Sequence, residues 1–167
     1  MKDGKSLIKI VVMDVDGTLT DGIVYIGNDG ELCKGFYVRD GIGILNLMKA
    51  GMIPVVFTSR ESGIVVQRCR ELGIDHIYQG VQKKEEKFRE IMKEMGVKPE
   101  ETAYIADDIN DYEAMKLAGI RGCPADAVTQ IKEICDFISS YDGGKGAVRD
   151  FIEYLLKAGG YSKSELY

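Results

Sequence analysis

The sequence has no tryptophan, one histidine, three prolines and no excess of positive charge. Its 27 acidic residues outnumber 22 lysines and arginines, giving a net charge of −5. A nucleic-acid groove needs a basic stripe, so we expect no nucleic-acid partner. No apolar run approaches the roughly 20 residues that a membrane-spanning helix requires, so we expect no membrane span either.

Clustered metal-binding sulfur and imidazole are also missing. Cys33, Cys69, Cys123 and Cys135 are scattered and form no C-x-x-C pair, and His76 stands beside an apolar segment as a structural histidine would. Zinc sites need closely spaced ligands, so none is expected. Scattered cysteines without a secretory leader indicate reduced thiols, and we therefore expect a cytoplasmic protein.

What the chain does contain is a substantial apolar fraction, 45% of its 167 residues, which is enough for the core of one domain spanning residues 1–167. Short apolar runs alternate with longer segments of helical periodicity. This alternation predicts an α/β fold, a doubly wound parallel sheet with helices on both faces. The predicted sheet strands are Ile8–Met13, Ile53–Phe57, Asp75–Tyr78, Thr102–Ala106, Ile120–Cys123 and Phe137–Ile138. The predicted helices are Gly41–Ala50, Glu61–Leu72, Lys83–Met95, Tyr112–Ala118, Val128–Ile134 and Ala147–Lys157.

A β-hairpin is predicted directly after the first strand. Gly22–Ile26 and Leu32–Val38 read as short strands around the turn residues Gly27 to Gly30. Placed there, the hairpin would form a flap over the end of the sheet. Its apolar residues Val24, Tyr25 and Ile26 are a candidate contact surface.

Two carboxylates, Asp14 and Asp16, follow the first strand at once. Acids beside a buried strand are costly to desolvate, and a bound cation such as Mg²⁺ offsets that cost. The alternative is an ordinary Asp-Gly turn whose acids face solvent.

Polar residues also follow the other strands of the predicted sheet. Ligands of parallel sheets sit at the carboxyl ends of the strands, so these residues are expected to converge there. Acids, a hydroxyl and a lysine at one sheet edge are the components of a phosphoryl-transfer site. Thr58 could alternatively cap the following helix, and the lysines and Arg68 could be ordinary surface residues. The residues concerned are Thr58, Ser59 and Arg60, then Lys83 and Lys84, then Asp107, Asp108 and Asp111.

The string DVDGTLTDG resembles the first motif of the haloacid dehalogenase-like phosphohydrolases, and the later polar groups resemble their other three motifs in order. The resemblance implies a nucleophile at Asp14, a general acid and base at Asp16, and phosphoryl-holding groups at Thr58 and at Lys84 rather than Lys83. It also implies a Mg²⁺ cofactor. The implied metal ligands are Asp14, Asp16 and Asp107, with Asp108 and Asp111 orienting a ligand or holding the lysine.

There is room for a hairpin but not for an inserted cap domain, as in the capless members of that superfamily. Nearly the whole chain resembles the 3-deoxy-D-manno-octulosonate (KDO) 8-phosphate phosphatases, through stretches such as GFYVRDGIGI and GGKGAVRD. This resemblance implies a phosphorylated sugar acid as substrate, a role in lipopolysaccharide precursor synthesis, and a homotetramer whose flaps and tails close neighbouring sites. The implied substrate-binding residues are Asp16, Tyr37, Val38, Arg39, Asp40, Gly41, Arg60, Arg68 and Lys84.

Three other interpretations stay open at the sequence level. The substrate could be the 9-phosphate of a nonulosonic (KDN or sialic-type) acid, although the enzymes for that substrate tend to carry Glu in place of Arg60. The chain could be a phospho-acceptor receiver domain, although receivers place their aspartate on the third strand and lack a second acid two residues on. It could also be a non-catalytic oligomerisation module.

Overall fold

The computed structural model describes residues 8–162. Six parallel strands form one sheet in the order β5-β4-β1-β6-β7-β8, and two antiparallel strands, β2 and β3, form a separate hairpin. The sheet strands are β1 (Ile10–Met13), β4 (Ile53–Phe57), β5 (His76–Tyr78), β6 (Thr102–Ile105), β7 (Ile120–Cys123) and β8 (Phe137–Ile138). The strand order runs outwards in both directions from β1, so the predicted doubly wound α/β fold is confirmed.

Helices cover both faces of the sheet. The helices are α1 (Val38–Lys49), α2 (Gly63–Leu72), α3 (Lys84–Met95), α4 (Tyr112–Met115), α5 (Thr129–Ile134) and α6 (Ala147–Ala158). Alternate residues of β1 point to opposite faces: Val11 and Met13 pack in the core under α1, α2 and α6, while Ile10 and Val12 pack under α3, α4 and α5. Because both faces are buried, β1 is apolar throughout, as central parallel strands are. No cap domain is identifiable within residues 8–162.

Helix α1 begins at Val38, three residues earlier than predicted. Gly41, the predicted first residue of the helix, lies inside it and packs against α2: a Cβ there would stand 2.8 Å from Arg68 Nη2. Gly43 likewise lets α6 approach, since its Cβ would lie 2.9 Å from Arg149 Cδ. Glycine in a helix interior costs up to about 1 kcal/mol relative to alanine, and here it permits close contacts between helices.

The hairpin after β1 is confirmed, but its predicted bounds are wrong. The strands are only β2 (Tyr25–Gly27) and β3 (Gly30–Cys33), and Gly27 pairs with Gly30 across a two-residue turn. The predicted second strand, Leu32–Val38, ends at Cys33 because the chain then leaves the ladder and turns Lys34 inward, against Asp16. The other predicted elements exist and differ from the structure by up to three residues at their ends.

Candidate active site

A cleft of about 340 Å³ lies at the carboxyl ends of β1, β4 and β6. This is the position that the doubly wound fold favours for a ligand, beside the point where strand order reverses. Of the residues predicted for the site, it brings together Asp14, Asp16, Thr58, Arg60, Asp107 and Asp108, and its remaining lining residues are Gly22, Ser59, Ile109 and Asn110.

Lys84 lies under this cleft, between two buried acids. Its Nζ donates to Asp14 Oδ1 at 2.7 Å and to both oxygens of Asp111 at 2.7 and 2.8 Å. Only 1% of the lysine side chain is exposed. Burial by itself would lower the pKa of Lys84, but Asp14 and Asp111 raise it above its usual value, so the ammonium stays charged. Of the two candidate lysines, Lys84 is therefore the one that contacts Asp14, whereas Lys83 is exposed and pairs with Glu86.

The acids around Lys84 carry more negative charge than one lysine balances. Burial raises the pKa of Asp14 above its usual range against the opposing effect of Lys84. Burial and the charge of Asp14 raise the pKa of Asp107 to about 7, and the same two causes raise that of Asp111 to about 7. Carboxylates that repel one another in a partly buried cleft favour a cation, and hard oxygen ligands suit Mg²⁺. The charge and the oxygen ligands of these acids therefore fit a magnesium ion at this cleft.

Asp16, also a predicted metal ligand, directs its carboxylate towards two basic side chains. Its Oδ1 accepts a hydrogen bond from Lys34 Nζ at 2.5 Å, and its Oδ2 lies 3.8 Å from Arg60 Nε. Within residues 8–162, no three acidic, cysteine or histidine side chains already converge as a metal cluster. Magnesium often takes only one or two protein carboxylates, with water and substrate phosphate completing its coordination, so Asp14 and Asp107 can suffice.

The loop after β1 requires glycine at position 17. Gly17 has φ +91°, and a Cβ on it would stand 2.0 Å from Asp107 Oδ2. This close approach brings Thr18 Oγ1 within 3.0 Å of Asp107 Oδ1, to which it donates a hydrogen bond. The Gly-Thr pair of the motif thereby positions the acid that follows β6.

Thr58 is buried at the end of β4, and its Oγ1 accepts a hydrogen bond from the Arg60 main-chain N–H at 3.3 Å. It does not cap the next helix: α2 begins at Gly63, and Ser62 is its capping residue, accepting from Val65 N. Asp108 accepts from the N–H of Ile109, while Asp111 is the acid that holds the lysine and also accepts from the buried Tyr104 hydroxyl at 2.6 Å.

Not all predicted substrate-binding residues reach this cleft. Tyr37 and Arg39 line a second cleft of about 410 Å³ together with Lys145 and Arg149 of the tail and α6. Val38 is exposed at the start of α1. Arg68 lies between α1 and α2, against Gly41, and pairs with Glu71.

Asp40 makes a structural contact. Its Oδ1 accepts the Arg149 N–H at 2.8 Å and so satisfies the first turn of α6, as acids at helix N-termini do. Burial raises the pKa of Asp40 to about 6.

Sequence reasoning missed Thr18, Lys34 and Tyr104. Thr18 could have been found, because it stands inside the DVDGT string. Lys34 and Tyr104 carry no comparable signal, since one is a lone lysine in a hairpin and the other an aromatic in a buried strand.

Comparison with known proteins identifies the family of this chain. Residues 31–119 match the model of the haloacid dehalogenase-like hydrolases. The KDO 8-phosphate phosphatase KdsC of Haemophilus influenzae is 42% identical over 155 residues, which cover 93% of this chain and 86% of that protein. KdsC of Escherichia coli K12 is 38% identical over 153 residues, covering 92% and 81%.

The chain belongs to the haloacid dehalogenase-like hydrolases. Within this family it is a phosphoric monoester hydrolase, as predicted, and not a receiver domain. The cobalt-bound phosphatase YrbI of H. influenzae has a TM-score of 0.90 to this structure at 40% identity, covering 95% of this chain and 92% of that one.

Magnesium is the cofactor of phosphatases in this family, and the predicted cofactor is confirmed at that level. The KDO 8-phosphate phosphatase of Moraxella catarrhalis was solved with magnesium ion, phosphate ion and KDO. It has a TM-score of 0.89 at 38% identity, covering 94% of this chain and 90% of that one. In the described part of this chain, every helix is too short or too polar to cross a membrane.

Proposed function

We propose that this enzyme hydrolyses KDO 8-phosphate to KDO and phosphate through an aspartyl-phosphate on Asp14, with Mg²⁺, in lipopolysaccharide precursor synthesis. The observation that carries the chemistry is the contact of Lys84 Nζ with Asp14 Oδ1 beneath a cleft that also holds Asp16, Thr58 and Asp107. The choice of sugar acid rests on the relatives named KDO 8-phosphate phosphatase, which cover most of this chain.

In the first step, a carboxylate oxygen of Asp14 attacks phosphorus, and the bond from phosphorus to the bridging oxygen breaks. Asp16 gives its proton to the departing alkoxide, which leaves as the sugar alcohol. Lys84, which is buried and charged, balances the phosphoryl oxygens, and the Thr58 hydroxyl donates to one of them. In the second step Asp16 takes a proton from water, the water oxygen attacks phosphorus, and Asp14 is released with inorganic phosphate.

The ion would be held by Asp14 and Asp107, with Asp16 as the further predicted ligand. When bound, it supplies positive charge that offsets the repulsion between the nucleophile and the phosphoryl oxygens. The raised pKa values of Asp14 and Asp107 support this placement, because both acids gain a counter-charge. Asp111 holds Lys84, and Asp108 closes the turn that follows Asp107.

Substrate recognition would begin at Arg60, whose half-exposed guanidinium stands at the rim of the cleft. A guanidinium pairs well with a carboxylate of a sugar acid. We also assign Tyr37, Val38, Arg39, Asp40, Gly41 and Arg68 to the sugar-acid pocket, as the resemblance implies. Most of them lie outside the catalytic cleft of one subunit, so this part of the proposal depends on assembly.

We further propose a cytoplasmic homotetramer of single-domain subunits, in which the hairpin packs over a neighbour's cleft. The hairpin exposes Ile23, Tyr25, Ile26 and Leu32, at 53%, 44%, 73% and 66% of their surfaces. So many exposed apolar side chains on one ribbon are typical of a contact surface. Covering the cleft would exclude water and strengthen the charge interactions within it.

A phosphate-release screen over phosphorylated sugar acids, with and without Mg²⁺, tests the proposal. KDO 8-phosphate should be hydrolysed with the highest kcat/KM, and chelation should abolish turnover. A higher kcat/KM for a nonulosonate 9-phosphate would replace the substrate while keeping the mechanism. Asp14→Asn should remove turnover of every ester, because an amide cannot form the acyl phosphate. A wild-type protein that released no phosphate from any ester would point to an oligomerisation module instead.

A further inference from the structure

The hairpin sends one lysine into the interior, next to the catalytic cleft. Lys34 follows β3, and its side chain is only 1% exposed although it belongs to a surface ribbon. Its Nζ donates to Asp16 Oδ1 at 2.5 Å and forms an ion pair with Glu31 Oε1 at 2.8 Å. A buried ammonium is costly unless it is paired, and here two carboxylates pair it.

The same network reaches the beginning of α2. Glu31 Oε2 accepts a hydrogen bond from the Ser62 hydroxyl, and that hydroxyl in turn accepts the N–H of Val65. The β3 segment is therefore tied through Lys34 to Asp16 and through Glu31 to the N-terminus of the helix that follows Thr58 and Arg60. Lys34 thus connects the Asp16 carboxylate of the cleft to Glu31 and Ser62.

We propose that Lys34 is a positioning residue that holds the Asp16 carboxyl in the orientation needed for proton transfer to the leaving group. The inference rests on the proposed function of Asp16 and adds to it a residue of the hairpin that the motif does not contain. It makes the hairpin part of the proton-transfer machinery as well as a cover for the cleft.

The two oxygens of Asp16 have different surroundings, which supports this assignment. Oδ1 is committed to Lys34, whereas Oδ2 has the half-exposed Arg60 at 3.8 Å, beyond hydrogen-bond length. Oδ2 is thus the oxygen that can carry the transferable proton towards the cleft. In the transfer the Oδ2–H bond breaks and a bond from hydrogen to the leaving oxygen forms, while Lys34 keeps all its protons and fixes the opposite oxygen.

Two substrates with different leaving groups can distinguish a role of Lys34 in proton transfer from a purely structural role. Benzyl phosphate and 4-nitrophenyl phosphate are similar in size, but the benzyl alkoxide needs a proton to depart and the nitrophenolate does not. The value of kcat/KM depends only on the steps up to departure of the leaving group, so it is not affected by the later activation of water. Both compounds lack the sugar acid, so recognition of the natural substrate does not enter it either.

Lys34→Met should lower kcat/KM for benzyl phosphate by about 10²-fold, the range of a lost general acid, and that for 4-nitrophenyl phosphate by less than about threefold. Lys34→Arg should recover part of the benzyl activity, because a guanidinium can still donate to Asp16. Lys83→Met is the matched control: this lysine is 75% exposed and pairs with Glu86, and its loss should leave kcat/KM for both esters unchanged.

Removing Lys34 alone leaves two acids facing each other and could prevent folding. The double variant Lys34→Met/Glu31→Gln removes one charge of each sign and should show the same difference between the two esters. Equal losses on both esters, in whichever variant folds with the wild-type circular dichroism spectrum, would overturn the proposal and leave Lys34 a structural residue. Failure of the proposed function is distinguishable, because it would appear as turnover by Asp14→Asn or as no phosphate release from either ester by the wild-type protein.

Discussion

Replacing Asp40 by asparagine should stabilise the protein above neutral pH. Asp40 is 2% exposed, its Oδ1 accepts the Arg149 N–H, and the Gly146 N–H also lies close to the carboxylate. Burial outweighs these donors and raises the pKa of Asp40 from 3.8 to about 6. Asparagine can keep the hydrogen bond to Arg149 N while removing the buried charge.

The sign follows from linkage. A carboxyl whose pKa is higher in the folded state favours folding only while it is protonated, so its contribution is present below pH 3.8 and is lost as the pH rises through about 6. The whole loss is about 3 kcal/mol, and about 2 kcal/mol of it falls between about pH 4.5 and about pH 8. Asp40→Asn should abolish this part of the pH dependence.

Urea unfolding at the two pH values measures the effect. The difference in unfolding free energy, variant minus wild type, should be about 2 kcal/mol more positive at the higher pH. Asp75→Asn, at an exposed acid before β5, is the control and should show no such change. A difference that is the same at both pH values, or that falls with pH, would refute the reasoning. Loss of activity on the sugar acid alone, with folding intact, would instead support the substrate-binding role predicted from the sequence.

Three further predictions concern the cleft and the hairpin. Gly17→Ala should cut activity at least tenfold and destabilise the protein by about 1–3 kcal/mol, because its Cβ would overlap Asp107 and its φ is positive; an active, equally stable variant in a urea titration would contradict this. Asp107→Ala should raise the Mg²⁺ concentration needed for half-maximal activity by at least tenfold, and an unchanged Mg²⁺ titration would remove Asp107 from the site. Replacing both Tyr25 and Ile26 by serine should dissociate the oligomer and lower kcat/KM for the sugar acid more than for 4-nitrophenyl phosphate; light scattering and paired kinetics check this, and a fully active monomer would refute it.

The sheet and the catalytic cleft were predictable because their signals are local. Each buried strand is an apolar run, and the polar residues that line the cleft come immediately after those runs, at positions 14, 58 and 107. Once the strands are parallel, their carboxyl ends meet, and residues far apart along the chain become neighbours. The contact between Lys84 and Asp14 spans 70 positions and still follows from this rule.

Other features depend on where backbones approach one another, which no local pattern encodes. The true start of α1 was missed because the glycine taken as its beginning serves a contact with α2. Lys34 was missed because β3 ends at Cys33 and the chain leaves its ladder, so strand alternation gives no guide to the direction of the next side chain. The burial of the Lys34 side chain is explained by its ion pairs with the carboxylates of Asp16 and Glu31.

The glycine-rich tail shows the same limit and explains why the loop after β1 keeps its shape. A Cβ on Gly143 would stand 1.8 Å from the Gly17 carbonyl oxygen, and one on Gly144 would stand 2.5 Å from Asp21 N. The Gly144 N–H also donates to Thr18 O at 3.0 Å, across 126 positions of the chain. Backbone packed directly on backbone leaves the loop little room to relax, so Thr18 is held where it can donate to Asp107. The tail therefore contributes to the cleft through its lack of side chains, and the GGKGAVRD string does not by itself indicate which loop these glycines contact.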